Sequence, residues 1–126
     1  MATMQVQLVA PDRMVWSGEA EYVGARTLDG DIGILPRHAP LLGVLAEGPV
    51  RIRPSDGQEI VAAVHGGFLS VGPDGVQVLA EIVELADEID VGRARRALDE
   101  HESVEDEADR AAARRARARL RAAGED

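Results

Sequence analysis

The sequence predicts an α+β protein in which a β-rich region, residues 1–86, precedes a helical region, residues 87–126. Residues 1–86 contain all six Pro, all three aromatic residues and all but two of the 13 Gly. These residues divide the region into short Val- and Ile-rich runs, which are typical of the strands of a sandwich or barrel. Residues 87–126 contain no Pro and consist mainly of Ala, Arg and Glu. This composition favours helix, so we expect two domains that meet near residue 86.

Strands are predicted wherever an apolar run is bounded by Gly, Pro or Asp. The runs are Gln5–Val9, Met14–Ser17, Ala20–Thr27, Ile32–Leu35, Val50–Arg53, Glu59–Val64, Phe68–Val71 and Val76–Glu81. In residues 50–53 Val and Ile alternate with Arg, which indicates a sheet with one solvent-facing side. Asp56-Gly57 and Asp74-Gly75 predict tight hairpin turns, because Asp-Gly accommodates positive φ angles.

The helical region is predicted to form an antiparallel hairpin. Asp90 is expected to cap a first helix that runs to about Glu100, and Ser103 a second helix with Asp106 at its third position. Only His101-Glu102-Ser103 separates the helices, so they are expected to fold back on each other. The apolar stripes are Val91, Ala94, Ala97 and Leu98 on the first helix, and Val104, Ala108, Ala111, Ala112, Ala116 and Leu120 on the second.

These stripes consist mainly of Ala, and each buried methyl group contributes only about 0.8 kcal/mol. The packing of the hairpin is therefore expected to be worth only a few kcal/mol. A binding partner can supply a free energy of that size, about 5.5 kcal/mol for a full population shift. The sequence thus predicts a movable helical arm.

Composition excludes several classes of function. The 126 residues include no Cys, and all 14 basic residues are Arg, so thiol nucleophiles, Schiff-base lysines and phosphate-loop lysines are absent. The net charge of −9 and the scarcity of aromatic residues argue against nucleic acid as a partner. The sequence has no signal peptide and no apolar run near the roughly 20 residues that span a bilayer. We expect a cytosolic protein that does not insert into the bilayer.

Charge is segregated within the helical region. Asp99–Asp109 contains seven acidic residues and no Arg, and the following stretch carries the arginines Arg110, Arg114, Arg115, Arg117, Arg119 and Arg121. One explanation is complementarity with the helix dipole, which favours acids at the start and bases at the end. The other is an acidic partner, because like charges at i,i+4 cost about 0.2–0.5 kcal/mol each unless something attracts them.

No arrangement of residues predicts catalysis or a metal site. His38, His65 and His101 are far apart in sequence and are expected to have surface or turn roles. His65-Gly66-Gly67 is best explained by a bend or bulge where a strand starts. The apolar, Gly- and Pro-rich segment Thr27–Leu42 is either a buried turn or a loop that exposes Ile, Leu and His to a partner.

The sequence resembles the epsilon subunit of bacterial F-type ATP synthase from Gln5 to about Leu120. The motifs that carry this resemblance occur in the family's order. They are Pro11, Ser17-Gly18-Glu19-Ala20, Asp29-Gly30-Asp31-Ile32-Gly33-Ile34-Leu35-Pro36-Arg37-His38-Ala39-Pro40-Leu41, Leu45 with Gly48, His65-Gly66-Gly67-Phe68-Leu69, and Ile89-Asp90 with Arg93-Ala94. The resemblance implies a ten-stranded β-sandwich followed by a two-helix hairpin.

The resemblance also implies a non-catalytic rotor subunit at the cytoplasmic face of the plasma membrane. Its partners would be the gamma subunit and the ring of c subunits, with Asp31 and His38 as ring contacts. The C-terminal helices would either lie folded on the sandwich or extend along gamma into the alpha/beta catalytic subunits, where they would contact acidic segments of beta and restrain ATP hydrolysis. The six arginines of 110–121 would make those contacts.

Some family members bind ATP at the base of the hairpin. Their motif matches Glu84, Ile89, Asp90, Arg93 and Ala94. Those members carry a further Arg at the position of Glu100, where a carboxylate repels phosphate. We therefore expect no cofactor and no metal, with ATP at most a weak regulatory ligand.

Two other classes of function are alternatives to a rotor subunit, and each makes a different prediction. A stand-alone nucleotide-sensing β-sandwich would bind ATP without any subunit partner. An enzyme would need a pocket with converging titratable groups, and the sequence predicts none.

Overall fold

The computed structural model describes residues 2–101 and 107–124. Its elements follow the predicted order of strands and then helices. They are β1 (Met4–Ala10), β2 (Arg13–Thr27), β3 (Gly30–Ile34), β4 (Leu41–Val44), β5 (Gly48–Pro54), β6 (Ile60–Val64), β7 (Gly67–Gly72), β8 (Gly75–Ala80), β9 (Val83–Leu85), a 3₁₀ turn (Ala86–Glu88), α1 (Val91–His101) and α2 (Glu107–Ala122). The α+β class is confirmed. The division into domains 1–86 and 87–126 stays a prediction.

The long strand β2 belongs to both layers of the sandwich. Its first half pairs with β1, from Ala10↔Arg13 to Met4↔Ala20. Its second half pairs with β5 and β3. The strand order is therefore β4-β7-β8-β1-β2 in one layer and β3-β2-β5-β6-β9 in the other. Inward-facing side chains of both layers form one core, in which Leu8, Ile34, Ile52 and Leu69 are fully buried.

The number of strands differs from the ten that the resemblance implies, since nine are present in the described residues. The runs Met14–Ser17 and Ala20–Thr27 form one continuous strand, β2, which serves both layers. The short strands β4 and β9 were not predicted. Each has only three or four residues, and tertiary pairing with β7 or β6 forms them rather than local propensity.

Local patterns predicted several details correctly. Residues 48–54 of β5 alternate between the core and solvent, as the spacing of Val50 and Ile52 indicated. The predicted β7–β8 hairpin is tight, but its two turn residues are Pro73 and Asp74 rather than Asp74 and Gly75; Gly75, the first residue of β8, has φ +133°. The prediction at Asp56-Gly57 is wrong: five residues link β5 to β6, and Gly57 has no positive φ. A longer loop relieves the constraint that a two-residue turn imposes.

The first helix is capped as predicted. The backbone N–H of Arg93 donates to Oδ1 of Asp90 over 3.0 Å, and α1 ends at His101. The predicted cap of the second helix at Ser103 and Asp106, and Val104 of its stripe, lie outside the described residues. Of the predicted stripes, Ala94, Ala116 and Leu120 are buried, whereas Ala108 is exposed.

The hairpin packs against the sandwich through α2. This helix contacts α1 on one side and β5 and β6 on the other. Its buried residues are Ala113, Ala116, Ala118, Leu120 and Ala122. Arg119, near the end of α2, lines one cavity with Asp90 and Arg93 at the start of α1, so the helices are antiparallel. Neither helix in the described part of the chain has the length and apolarity needed to cross a membrane.

Candidate functional site

One oxygen of Glu84 joins the sandwich to the helical hairpin. Oε1 of Glu84, on β9, lies 3.0 Å from Nε2 of His65, which follows β6. The same oxygen accepts a hydrogen bond from Nε of Arg119 on α2 over 2.6 Å. The Arg119 and Glu84 side chains are each 30% exposed, so water reaches this pair only partly. These three side chains form the junction triad.

The electrostatics of the junction triad follow from burial and from the charge of Arg119. Burial alone would raise the pKa of Glu84, but the hydrogen bond and charge of Arg119, together with His65, lower it overall. Burial, followed by the charge of Arg119, lowers the pKa of His65. The ring is therefore neutral at neutral pH, with Nε2–H donating to Glu84 and a buried Nδ1 that has no partner among the described residues.

His65 corrects a prediction from sequence. It was expected on the surface or in a turn; it does lie in the link between β6 and β7, but it is not on the surface, since only 4% of it is exposed. Gly66 and Gly67 do form the expected bend, with φ of +83° and +120°. This bend directs β7 away from β6 and leaves His65 inside, next to β9.

A cavity of about 380 Å³ lies beside the junction triad and contains most of the predicted nucleotide-binding residues. Its lining is Glu84, Glu88, Asp90, Arg93, Ala94, Ala97 and Arg119. Ile89, the remaining residue of the motif, is not part of this lining; its backbone N–H donates to the carbonyl oxygen of Ala86 over 3.3 Å. Arg119 was not predicted here, because it is separated from Arg93 by the turn of the hairpin.

The carboxylates of this cavity already have structural partners. Asp90 caps α1 through Arg93, and its carbonyl accepts from the N–H of Ala94 over 3.0 Å. Oε1 of Glu88 accepts from the N–H of Leu85 over 3.0 Å. The motif therefore acts as a helix cap and junction in this structure, and Arg93 and Arg119 are the cations that an anion entering the cavity would meet.

Asp31 and His38 are both exposed but lie at different places. Asp31, at the start of β3, pairs with Arg26 of β2, with Nε and Oδ1 separated by 2.9 Å. His38 follows β3, in a turn closed by its N–H and the carbonyl of Leu35 over 3.1 Å. Since β3 runs away from Asp31 toward that turn, it separates the two side chains by at least three residues, about 10 Å.

The segment that contains them combines both predicted roles. Ile34 is fully buried in the core, whereas Leu28, Leu35 and Leu42 are among the most exposed apolar residues of the chain. Ile34 therefore packs this segment against the core, while its leucine side chains are exposed to solvent.

The six arginine side chains of α2 lie in different surroundings. Arg119 pairs with Glu84, and Nε of Arg114 lies 3.3 Å from Oε2 of Glu47 on the sandwich. Arg114, Arg117 and Arg121 line a second cavity, while Arg110 is exposed. Part of the cluster thus neutralises carboxylates of the sandwich in this arrangement of the hairpin.

An apolar row, not predicted from sequence, crosses the outer face of the first layer. Cross-strand register places its members side by side over five strands: Val44↔Phe68, Phe68↔Leu79, Leu79↔Val9 and Val9↔Met14. Phe68 is 50% and Leu79 is 41% exposed. The only local signal was an apolar residue at the outward position of each strand, which becomes a surface only through register.

Comparisons with known proteins identify the family. Residues 3–86 match the family model described as ATP synthase, Delta/Epsilon chain, beta-sandwich domain. The ATP synthase epsilon chain of Streptomyces griseus is 61% identical over 121 residues, which are 96% of this chain and 95% of that relative. The ATP synthase epsilon chain of Thermobifida fusca is 52% identical over 123 residues, 94% of this chain and 90% of the relative.

Solved structures share the fold at low identity. A chain of the Euglena gracilis mitochondrial ATP synthase, in a structure of OSCP, F1 and c-ring, superposes with a TM-score of 0.76 at 22% identity, covering 99% of this chain and 79% of that one. A chain of the Tetrahymena thermophila central stalk and c-ring gives 0.63 at 19% identity, with 97% of each chain covered. Because the sandwich matches the family model and nearly the whole chain matches epsilon chains, this protein belongs to the ATP synthase epsilon chain family.

Proposed function

We propose that this chain is a non-catalytic subunit of the central stalk, which links the gamma subunit to the c ring and so couples proton translocation to ATP synthesis. Its family membership supports this role, since its relatives are epsilon chains of ATP synthase. The chain would lie at the cytoplasmic face of the plasma membrane as a peripheral part of that complex.

The apolar row Val44–Phe68–Leu79–Val9–Met14 is the observation that carries the proposal. A contiguous apolar surface across five strands indicates a protein contact, because soluble monomers rarely expose one. We assign this row to the gamma subunit. A polar row runs next to it on the same face, through Gln7 and Gln77, and marks the edge of the contact.

Binding of gamma to the full chain tests this assignment. Replacing Phe68→Ser and Leu79→Ser together removes the centre of the row and is expected to weaken gamma binding at least tenfold, about 1.4 kcal/mol or more. Gln77→Ser, on the same face, is the matched control and is expected to leave the affinity unchanged. Equal affinities for all three proteins, or no affinity of the unmodified chain for gamma, would contradict the proposal.

The contact with the c ring would involve Asp31, His38 and the exposed leucines of their segment. Because Asp31 and His38 lie at opposite ends of β3, the ring would have to contact the whole of this edge. The chain has no Cys, so single cysteines placed at 31 and at 38 provide clean cross-linking sites. Cross-links to c subunits from both positions are expected; none from either would exclude this edge.

The helical arm would restrain ATP hydrolysis by extending into the alpha/beta catalytic subunits and reaching acidic segments of beta with its arginines. Release of α2 from the sandwich would free Arg114 and Arg119 from Glu47 and Glu84 for such contacts. Deleting residues 88–126 is therefore expected to raise hydrolysis by the assembled complex. Replacing the six arginines by Gln, with the helices kept, separates the effect of charge from that of the arm. Unchanged hydrolysis in both would exclude an inhibitory arm.

ATP is proposed only as a weak regulatory ligand of the cavity beside the junction triad. Arg93 and Arg119 would attract phosphate, but Glu84, Glu88 and Asp90 line the same cavity and oppose it. Titration of the full chain with ATP, without other subunits, is expected to show weak or no binding. A micromolar dissociation constant would instead favour the stand-alone nucleotide sensor.

A further inference from the structure

A small cavity opens beside the centre of the apolar row. Three members of the row, Phe68, Leu79 and Val9, belong to its lining. Its volume is about 210 Å³, which is below the roughly 300–1,000 Å³ of pockets for small-molecule ligands. A cavity of this size within an apolar surface fits a single side chain of a partner protein, and such pockets are where interfaces concentrate their binding free energy.

The cavity lies where two strand ladders become irregular. The parallel ladder of β1 and β8 ends at Val9↔Leu79, and the ladder of β1 and β2 shifts register between Leu8 and Val9. The adjoining residues are small or rigid, which leaves the cavity open. They are Ala10, Pro11, Gly67 and Ala80.

Glu81 is the one charged residue that the structure places in this lining, among the residues it describes. Its carboxylate lies over the bend between β6 and β7, since a Cβ on Gly66 would be 3.1 Å from Oε2 of Glu81. Glu81 is exposed, and within residues 2–101 and 107–124 its side chain has no hydrogen-bond or ion-pair partner. By contrast, Glu47 and Glu84 pair with arginines of α2. In the described part of the chain, Glu81 therefore places an unpaired negative charge at the edge of an apolar cavity.

We propose that the gamma subunit inserts one aliphatic or aromatic side chain into this cavity and places a lysine or arginine beside Glu81. This inference rests on the proposed assignment of the apolar row to gamma, and it adds the chemistry of the segment that binds there. Burial of the inserted side chain, together with Phe68 and Leu79, removes apolar surface from water and supplies affinity.

The charge of Glu81 supplies selectivity. A carboxylate that a contact partly removes from water opposes binding unless a cation compensates it. An apolar surface that lacks a suitably placed cation is therefore disfavoured, whereas one that carries it is attracted. Charges at the rim of an interface act mainly on the association rate and on its salt dependence.

Binding of gamma to variants of the full chain tests the charge. Glu81→Arg is expected to weaken binding at least tenfold, and Glu81→Gln to slow association and reduce its dependence on salt. Asp74→Arg, the same charge reversal in the exposed turn before β8, is the matched control and is expected to bind normally. Replacing the lysines and arginines of gamma by Glu, one at a time, is expected to yield one variant that restores binding of Glu81→Arg.

Two substitutions at Val9 test the cavity. Val9→Ala removes apolar surface but keeps the cavity open, whereas Val9→Phe adds apolar surface and fills the cavity. If gamma inserts a side chain, Val9→Phe is expected to bind at least tenfold more weakly than Val9→Ala, although apolar area alone predicts the opposite order. Urea unfolding midpoints equal to that of the unmodified chain show that both variants are folded.

The outcomes separate this inference from the proposed function. No affinity of the unmodified chain for gamma would overturn both. Weakened binding by Phe68→Ser with Leu79→Ser, but normal binding by Val9→Phe and Glu81→Arg, would overturn this inference and leave the assignment of the row to gamma intact. Equal losses in Asp74→Arg and Glu81→Arg, or no restoring variant of gamma, would overturn the ion pair at Glu81.

Discussion

Arg119 of α2 and Glu84 of β9 form an ion pair with Nε and Oε1 only 2.6 Å apart. They are separated by 35 residues, and their pair ties the last helix to the last strand. Arg114 and Glu47 make a second link along the same helix, at 3.3 Å. Because the buried face of α2 consists largely of Ala, such polar links are a substantial part of what holds the hairpin on the sandwich.

Arg119→Gln is therefore expected to loosen the hairpin without unfolding the sandwich. A charge-assisted hydrogen bond of this exposure contributes about 1–2 kcal/mol, so amide exchange in α2 should become roughly ten times faster. The control is Arg115→Gln, on the same helix, because Arg115 makes no ion pair with the sandwich in the described part of the chain. Equal exchange in the two variants would show that Ala packing alone holds α2.

Acidification is expected to favour release of the hairpin. In the packed state, burial and Arg119 hold the pKa of His65 below its ordinary value of about 6.5, so this state prefers the neutral ring. Above about pH 7 the ring is neutral in both states and has no effect. As the pH falls below about 6.5, the released state binds the proton more readily, so packing weakens. The lowered pKa of Glu84 acts in the same direction below about 4.5.

Two measurements check this pH dependence. The protection of α2 amides in the full chain, taken relative to their intrinsic exchange rate at each pH, is expected to fall between pH 7.5 and 5.5. The pKa of the His65 ring, followed by NMR, is expected to rise in Arg119→Gln, because a neighbouring positive charge is removed while Glu84 and Glu47 remain. An unchanged pKa in that variant would show that burial alone lowers it.

Gly67→Ala is expected to destabilise the sandwich by at least about 2–3 kcal/mol. The added Cβ would lie 2.0 Å from the carbonyl oxygen of Leu79, and φ is +120°. The obstructing atom belongs to the backbone of β8, so no side-chain movement relieves the clash. Gly72→Ala, at the other end of β7, has nothing within 4 Å and no positive φ. Urea unfolding should show a lower midpoint for the first variant alone; similar midpoints would contradict this reading of the bend.

Asp90→Ala is expected to fray the start of α1, since loss of an N-cap costs about 1 kcal/mol. Asp90→Ser restores an oxygen for the N–H of Arg93 and should recover most of the loss. Asp99→Ala, near the end of the same helix, removes a carboxylate from the negative end of the helix dipole and should not destabilise it. The amide exchange of Arg93 reports the difference. Normal protection in Asp90→Ala would mean that the cap contributes little.

Local features of this chain were predictable from sequence because they depend on neighbouring residues. The alternation around Val50 and Ile52 depends on side chains two positions apart, and the cap at Asp90 on groups three positions apart. The role of Gly33 was not predictable. A Cβ there would lie 2.9 Å from the ring of Tyr22 on the adjacent strand, so this glycine makes room for an aromatic ring.

The candidate site likewise has a part that was predictable from sequence and a part that was not. The motif around Asp90 and Arg93 was recognisable from sequence, and the structure places it at a cavity. The burial of His65 and the contact of Arg119 with Glu84 were not, because they join residues that are 19 and 35 positions apart. A local sequence pattern does not show which residues so far apart along the chain come into contact.

By itself, the sequence determined the α+β class, the order of strands before helices and the family, since these follow from composition, periodicity and ordered motifs. Tertiary structure decided that β2 serves both layers, that one face carries an apolar row, and that α2 lies on β5 and β6. Those outcomes depend on strand register and on a small packing free energy. Both are properties of contacts between distant segments.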